Sequence, residues 1–349
     1  MRSRSVTLSD MRLTAALAIA TTLAVSATAA AQSTLPPTIS PVSPPTPIAA
    51  YNGTLVWSQQ ASNGQYQLVS RTGSGPVTPV PIPTRGVPFD VDLGPTSSGT
   101  LYALYSRCAT EPEWGQSGMP PYQLGKGCAI YKFQFPNGPE VRYSKVNASN
   151  ASQYWPTYWK GKVGFARTYA NNPNRGYVYT KTVSSSVPSA QMPIGSLGNG
   201  ASYGQQLELY GSRLAFGWFY SETQYGYYQL RLDTIGSKAS TVLDQTKGGQ
   251  SIVGLGWPAF GGGLITWLRY CTGDPASCPG AVRLQEASYS GANDATSPTG
   301  EYTQAYELDQ NITYLENDVS SAYTCQTLTQ PAVPACTITA TQPPYTPLG

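Results

Sequence analysis

The chain has 349 residues, only 11% of them charged, and a formal net charge of +3. Arg2, Arg4 and Arg12, less Asp10, supply most of that charge from within the first 31 residues, so the remainder sits near +1. That balance excludes a nucleic-acid or polybasic membrane role. There is no histidine at all. Ser-His-Asp and Cys-His sites therefore cannot be assembled, nor can His-ligated zinc, iron or copper centres.

Residues 1–31 read as a secretory signal peptide: arginines, an apolar run from Leu13 to Val25, then Ala29-Ala30-Ala31 before Gln32. No membrane insertion is expected after cleavage, because the run is short and alanine-rich and the tail ending Leu348-Gly349 carries no hydrophobic anchor. Residues 32–46 are rich in Pro, Ser and Thr and read as an extended spacer without a core. The folded domain is then expected over 47–349. Its 35 glycines, 30 prolines and 25 tyrosines suit tight turns between aromatic-rich strands and do not suit long amphipathic helices.

Along that domain one short phrase recurs, an aliphatic residue, a spacer and usually an aromatic. It reads Leu55-Val56-Trp57, Leu101-Tyr102-Ala103, Val163-Gly164-Phe165, Leu214-Ala215-Phe216, Ile265-Thr266-Trp267 and Ile312-Thr313-Tyr314. The leading residues are 46, 62, 51, 51 and 47 positions apart, a period that short strands repeat in radial β-architectures. The third unit shows four strands most clearly, at Tyr154 to Trp159, Lys162 to Thr168, Gly176 to Val183 and Ala190 to Ile194. Third-strand counterparts are Tyr66-Gln67-Leu68, Ile130-Tyr131, Tyr228-Gln229-Leu230 and Val282-Arg283-Leu284, while Trp155-Pro156 and Trp257-Pro258 mark first strands. Proline is tolerated there because a strand start requires no ladder donor. Stacked neighbours must bury both faces of each small sheet, which accounts for the aromatic in the phrase.

Six units of this kind, each with a Gly-containing turn such as Lys160-Gly161-Lys162 or Tyr210-Gly211-Ser212 before the phrase, resemble the TolB-type six-bladed β-propellers. The resemblance covers roughly Pro47 to the C-terminus and implies an all-β fold of six four-stranded antiparallel blades. The Ser-Pro-Asp-Gly turn common in that family is absent from every unit, so the fold is carried over and the partners of TolB are not. A seven-bladed propeller and a pair of β-sandwiches are the alternative architectures.

Six cysteines in an exported chain imply three disulfides. Cys108 follows a second strand and Cys128 precedes the next, and Cys271 and Cys278 stand in the same relation one long unit later. Cys325 and Cys336 would then join the last two strands of the final unit and lock the C-terminal edge.

In a propeller the connections from second to third strand emerge on one face, together with the crossings between blades. Here those connections are long and carry Trp114, Tyr122, Tyr169, Tyr220, Tyr225 and Tyr227, a candidate surface for a sugar face or a protein pocket. Tyrosines lying flat over blade edges are the plainer account of the same residues. Acid/base chemistry has only carboxylates to draw on. Asp90 and Asp92, spaced i, i+2 on a first strand, and Glu307 and Asp309, with Glu208 in a comparable place, could converge in the channel to hold Ca²⁺ or act as a glycosidase pair. No phosphate-binding Gly-rich loop opens a helix, and no other cofactor is expected. The sequence therefore points to a secreted or cell-wall-associated, monomeric, non-catalytic module that binds a polypeptide or a glycan. The competing reading is a secreted glycosidase working through Asp and Glu.

Overall fold

The computed structural model describes residues 38–42, 46–51, 54–112, 124–194, 200–221, 226–237, 240–247, 253–261, 264–271, 283–288, 312–315, 318–325 and 336–339. The chain divides after Leu35, and all described residues belong to the unit from Pro36 onward. Among them every regular element is a β-strand.

The first strand, β1 (Thr38–Val42), is set apart in sequence from its partners, and the strands after it form six successive sheets. Blade one comprises β2 (Ile48–Tyr51), β3 (Thr54–Gln60), β4 (Tyr66–Thr72) and β5 (Thr78–Pro79). Blade two comprises β6 (Asp92–Pro95), β7 (Leu101–Arg107), β8 (Ala129–Gln134) and β9 (Glu140–Arg142). Blade three follows with β10 (Ala151–Trp159), β11 (Lys162–Tyr169), β12 (Asn172–Thr182) and β13 (Ala190–Gln191). Blade four has β14 (Ser202–Tyr210), β15 (Arg213–Ser221), β16 (Gly226–Thr234) and β17 (Ser240–Lys247). Blade five shows three strands among the described residues, β18 (Val253–Gly261), β19 (Leu264–Cys271) and β20 (Arg283–Ser288). Blade six contains β21 (Ile312–Leu315), β22 (Asp318–Cys325) and β23 (Cys336–Thr339), and its outermost strand is β1.

All pairings within the blades are antiparallel, and a single parallel bridge, Arg175 with Ser202, stitches blade three to blade four. The innermost strands touch in sequence: β2 meets β6, then β10, β14, β18 and β21 follow in turn, and β21 returns to β2. Six antiparallel blades around a closed ring of inner strands make a six-bladed β-propeller.

The recurring phrase explains why the sheets stack. Trp57, Phe165, Phe216 and Trp267 are buried on second strands, and in blade two, whose phrase ends in Ala103, Tyr105 two residues later is buried instead. Apolar cores fill the spaces between blades, for example Leu104, Ile130, Tyr158 and Phe165 between blades two and three, and Val178, Leu207, Phe216 and Trp218 between three and four. At the hairpin entering the third phrase, Lys160 and Gly161 both have positive φ, 44° and 82°. That is the conformation a two-residue hairpin with matching twist requires.

Two expectations need correction. Ile312-Thr313-Tyr314 is not a second strand: it forms β21, the innermost strand of blade six, and β22 takes the second place. A short apolar triplet cannot reveal by itself whether it precedes or follows a hairpin. The segment 32–46 is also more than a spacer, because its residues 38–42 form β1 and pair with β23. Pro41 fits there because an outermost strand leaves one side of its backbone without a ladder partner. The register of β22 and β23 places Cys325 directly opposite Cys336, but the edge of the blade beyond them is β1 and not the C-terminal strand.

Candidate functional site

The end of the propeller that carries the second-to-third connections also carries the crossings between blades, and a cleft of about 630 Å³ opens there. Its walls come from three blades: residues 124–127 of blade two, 149–152 and 168–174 around β10 to β12, and 201–203 at the start of β14. The Cys108–Cys128 disulfide closes the blade-two connection and an antiparallel bridge between Thr110 and Lys126 shapes it. Gly125 is required beside that disulfide, since a Cβ there would stand 2.7 Å from both sulfurs. Closing a loop of this length contributes about 3 kcal/mol in the chain-entropy model.

Two aromatic rings line the cleft. Tyr203 stacks on Phe219 at 5.0 Å between centroids, and Phe219 in turn packs on Tyr228. Burial raises the Tyr203 phenol above its ordinary range. Tyr169 shares a 2.8 Å hydroxyl–hydroxyl hydrogen bond with Tyr179, above whose ring the Arg167 guanidinium sits at 4.7 Å. Burial pushes the Tyr169 phenol up, but the Tyr179 hydrogen bond and the nearby Arg167 outweigh it and the net direction is down. Burial and the Tyr169 contact push Tyr179 the opposite way. Around the rings stand Ser152, Thr168 and the exposed Asn150 and Asn174, with Lys126 as the cation on the rim. Rings beside short hydroxyl and amide side chains can hold a polar molecule with apolar faces.

The propeller axis holds a second, smaller cavity of about 40 Å³, lined by Pro47 to Ala49, Asp90 to Asp92, Trp155, Pro156, Gln206 to Glu208, Trp257 and Pro258. Each of β10, β14 and β18 carries a bulge at the same place, with Trp155, Gln206 and Trp257 at φ 49°, 51° and 53°. Left-handed backbone at such residues costs about 1–3 kcal/mol and persists only where neighbours hold it. Here the preceding inner strands do so. Asp90 Oδ2 accepts the Trp155 N–H at 2.8 Å, and Gln206 Oε1 accepts the Trp257 N–H at 3.0 Å. Asp90 also takes both the N–H and the hydroxyl of Ser106, and Arg85 lies 3.5 Å from it while gripping Glu111.

Asp92 behaves differently from Asp90. Its Oδ2 accepts the Tyr158 N–H at 2.8 Å, and Glu208 lines the same axial cavity. Burial pushes Asp92 up to about 6 against the pull of its hydrogen bonds. Glu208 keeps some surface toward the cavity but is enclosed by protein, and burial together with the neighbouring Asp92 charge holds its carboxyl well above the ordinary range.

No protein-family model matches this chain, and a search of curated proteins finds no match. Solved structures do align with it. The lectin of Aleuria aurantia, as an N224Q mutant in complex with α-methyl-L-fucoside, is 14% identical with a TM-score of 0.46, covering 86% of this chain and 95% of the lectin. The SapL1 lectin, in complex with α-methyl fucoside, is 12% identical with a TM-score of 0.44, covering 83% and 98%. The α-L-arabinofuranosidase Arb93A of Fusarium graminearum, bound to an iminosugar inhibitor, is 13% identical with a TM-score of 0.43, covering 87% and 98%. At these values the fold of this chain rests on its own strand order and ring closure.

Of the residues singled out from sequence, Tyr169 lines the cleft. Tyr220 and Tyr227 are cross-strand partners stacked face to face at 4.8 Å, and neither belongs to the cleft lining. Trp114, Tyr122 and Tyr225 lie outside the described residues, as do Glu307, Asp309 and Cys278. Asp90 and Asp92 both line the axial cavity and have separate partners: the first takes donors of Ser106 and Trp155 and the second takes the Tyr158 N–H. Among the described residues no three acidic or cysteine side chains converge as a metal site. Sequence reasoning missed Tyr203, Ser152 and Asn150. Nothing in the sequence ties Pro173 and Asn174, at the start of β12, to Tyr203 across a blade boundary.

Proposed function

We propose that this protein is an exported, non-catalytic binding module, a divergent relative of the TolB-type propellers, that takes a glycan in the cleft walled by its second, third and fourth blades. The observation that carries this reading is the cleft itself. Its volume falls in the range of roughly 300–1,000 Å³ usual for small-ligand sites, and it combines two tyrosine rings with amide and hydroxyl groups from separate blades. Sugar rings present apolar C–H faces that stack on aromatic rings, while their hydroxyls pair with Asn, Ser and Thr. The carboxyl pair on the axis does not suit glycoside hydrolysis. The cavity they line is about 40 Å³, far below the roughly 300 Å³ at which small-ligand sites begin, and does not admit a sugar ring.

A glycan array followed by calorimetric titration tests the reading, with released reducing sugar measured in parallel. Saturable binding is expected without product. Asn150→Ala and Asn174→Ala remove exposed rim amides that the fold does not need, and each is expected to weaken binding about tenfold, the effect of one good hydrogen bond. Undiminished affinity in both variants would move the ligand away from this cleft.

A further inference from the structure

Two acidic side chains from non-adjacent blades line one small cavity at the axis, Asp92 on the inner strand of blade two and Glu208 on that of blade four, with blade three between them. Carboxylates repel, so contact requires a proton or a cation between them. Nothing positively charged among the described residues faces the pair. From β2 it meets Ile48 and Ala49, and from β18 it meets Trp257 and Pro258. From β10 it meets the Tyr158 N–H, 2.8 Å from Asp92 Oδ2. Two residues before it, the carboxylate of Asp90 is already engaged by Ser106, Trp155 and Arg85. The sequence of β21, which packs against β2 and β18, offers only Tyr314 as a titratable group.

We propose that Asp92 and Glu208 form a proton-bridged latch that ties blade two to blade four across the axis and weakens as pH rises. The sign follows from linkage. Both carboxyls hold their protons to a higher pH in the folded chain than in the unfolded one, with Asp92 pushed up to about 6. The folded state binds the extra proton, so stability is full at acidic pH and declines as pH rises through and above 6. The latch does not depend on any ligand of the cleft.

The test is thermal unfolding of the purified protein from pH 5 to pH 8. The melting temperature is expected to fall by about 5–10 °C across that range, the size that shifts of this order give in a domain of this length. Glu208→Gln keeps a hydrogen-bonding group without the charge and is expected to melt above the wild type at pH 8. The double variant Asp92→Asn with Glu208→Gln is expected to lose most of the pH slope, the remainder coming from Asp233, whose carboxyl burial also pushes up to about 6. An undiminished slope in the double variant would place the titrating groups elsewhere and overturn the latch. So would a rise in wild-type melting temperature with Ca²⁺ that the variant lacks, which would make the pair a cation site. Infrared difference spectroscopy on the wild type supplies a readout independent of any variant. A protonated carboxyl band at neutral pH that Glu208→Gln abolishes is expected, and its absence overturns the proposal.

Discussion

Replacing Asp90 by Asn is the sharpest probe of how the blades are held. The carboxylate is 5% exposed and accepts three hydrogen bonds, from the Ser106 N–H at 2.8 Å, the Ser106 hydroxyl at 2.7 Å and the Trp155 N–H at 2.8 Å. An amide presents one acceptor oxygen where the carboxylate had two, and its NH₂ must face a donor. At least one buried N–H loses its acceptor, at about 1–3 kcal/mol. The buried Arg85 loses one of its two anionic neighbours and keeps Glu111, and breaking such a pair from one side brings the total to about 3–5 kcal/mol. In a domain of this size that corresponds to a fall of about 10 °C in melting temperature. Thermal and urea unfolding should agree, with the urea slope unchanged and the midpoint lowered. Ser106→Ala removes only the hydroxyl donor, so its loss should be smaller, and the two changes should couple in a double-mutant cycle. A fall of less than about 2 °C for Asp90→Asn would refute the clamp.

Gly94→Ala should be severe, because a Cβ there would stand 1.8 Å from the Tyr158 carbonyl oxygen of the next blade and neither backbone can yield. Little soluble protein, or a melting temperature lowered by more than 10 °C, is expected from expression and calorimetry. Reducing the Cys108–Cys128 bond, or changing both residues to Ser, should cost about 3 kcal/mol in urea unfolding. Peptide mapping under non-reducing conditions should recover Cys325 linked to Cys336, as the register of their strands places them opposite one another. Finding Cys325 joined to Cys271 or Cys278 instead would contradict that register.

The propeller was legible because its evidence is local and repeated. Phe165, Phe216 and Trp267 recur at intervals of 51 residues, and burial between stacked sheets is what such residues need. The Cys108–Cys128 pair was legible for the same reason, since one hairpin brings both ends together. What remained hidden depends on which residues meet across blades. Tyr203 and Tyr169 line one cleft from different blades, and Glu208 and Asp92 reach one axial cavity from blades that are not neighbours. Nothing in either local sequence encodes that meeting. The bulges were hidden too, because Gln206 at a position otherwise filled by Trp155 and Trp257 shares no side-chain chemistry with them, only a backbone conformation.

The pairing of β1 with β23 has a consequence for the order of folding. Thr38 and Thr339 are partners across roughly three hundred residues of chain, so the sixth blade cannot be completed until nearly the whole polypeptide is available. Five blades can collapse in sequence as they emerge, each resting on the one before. The ring stays open until the last strand meets one of the first. Closing so long a loop is entropically slow, and the waiting intermediate presents unpaired strand edges at both ends. Removing residues 38–42 would strip blade six of its outermost strand and leave the contact of β21 with β2 to hold the ring closed.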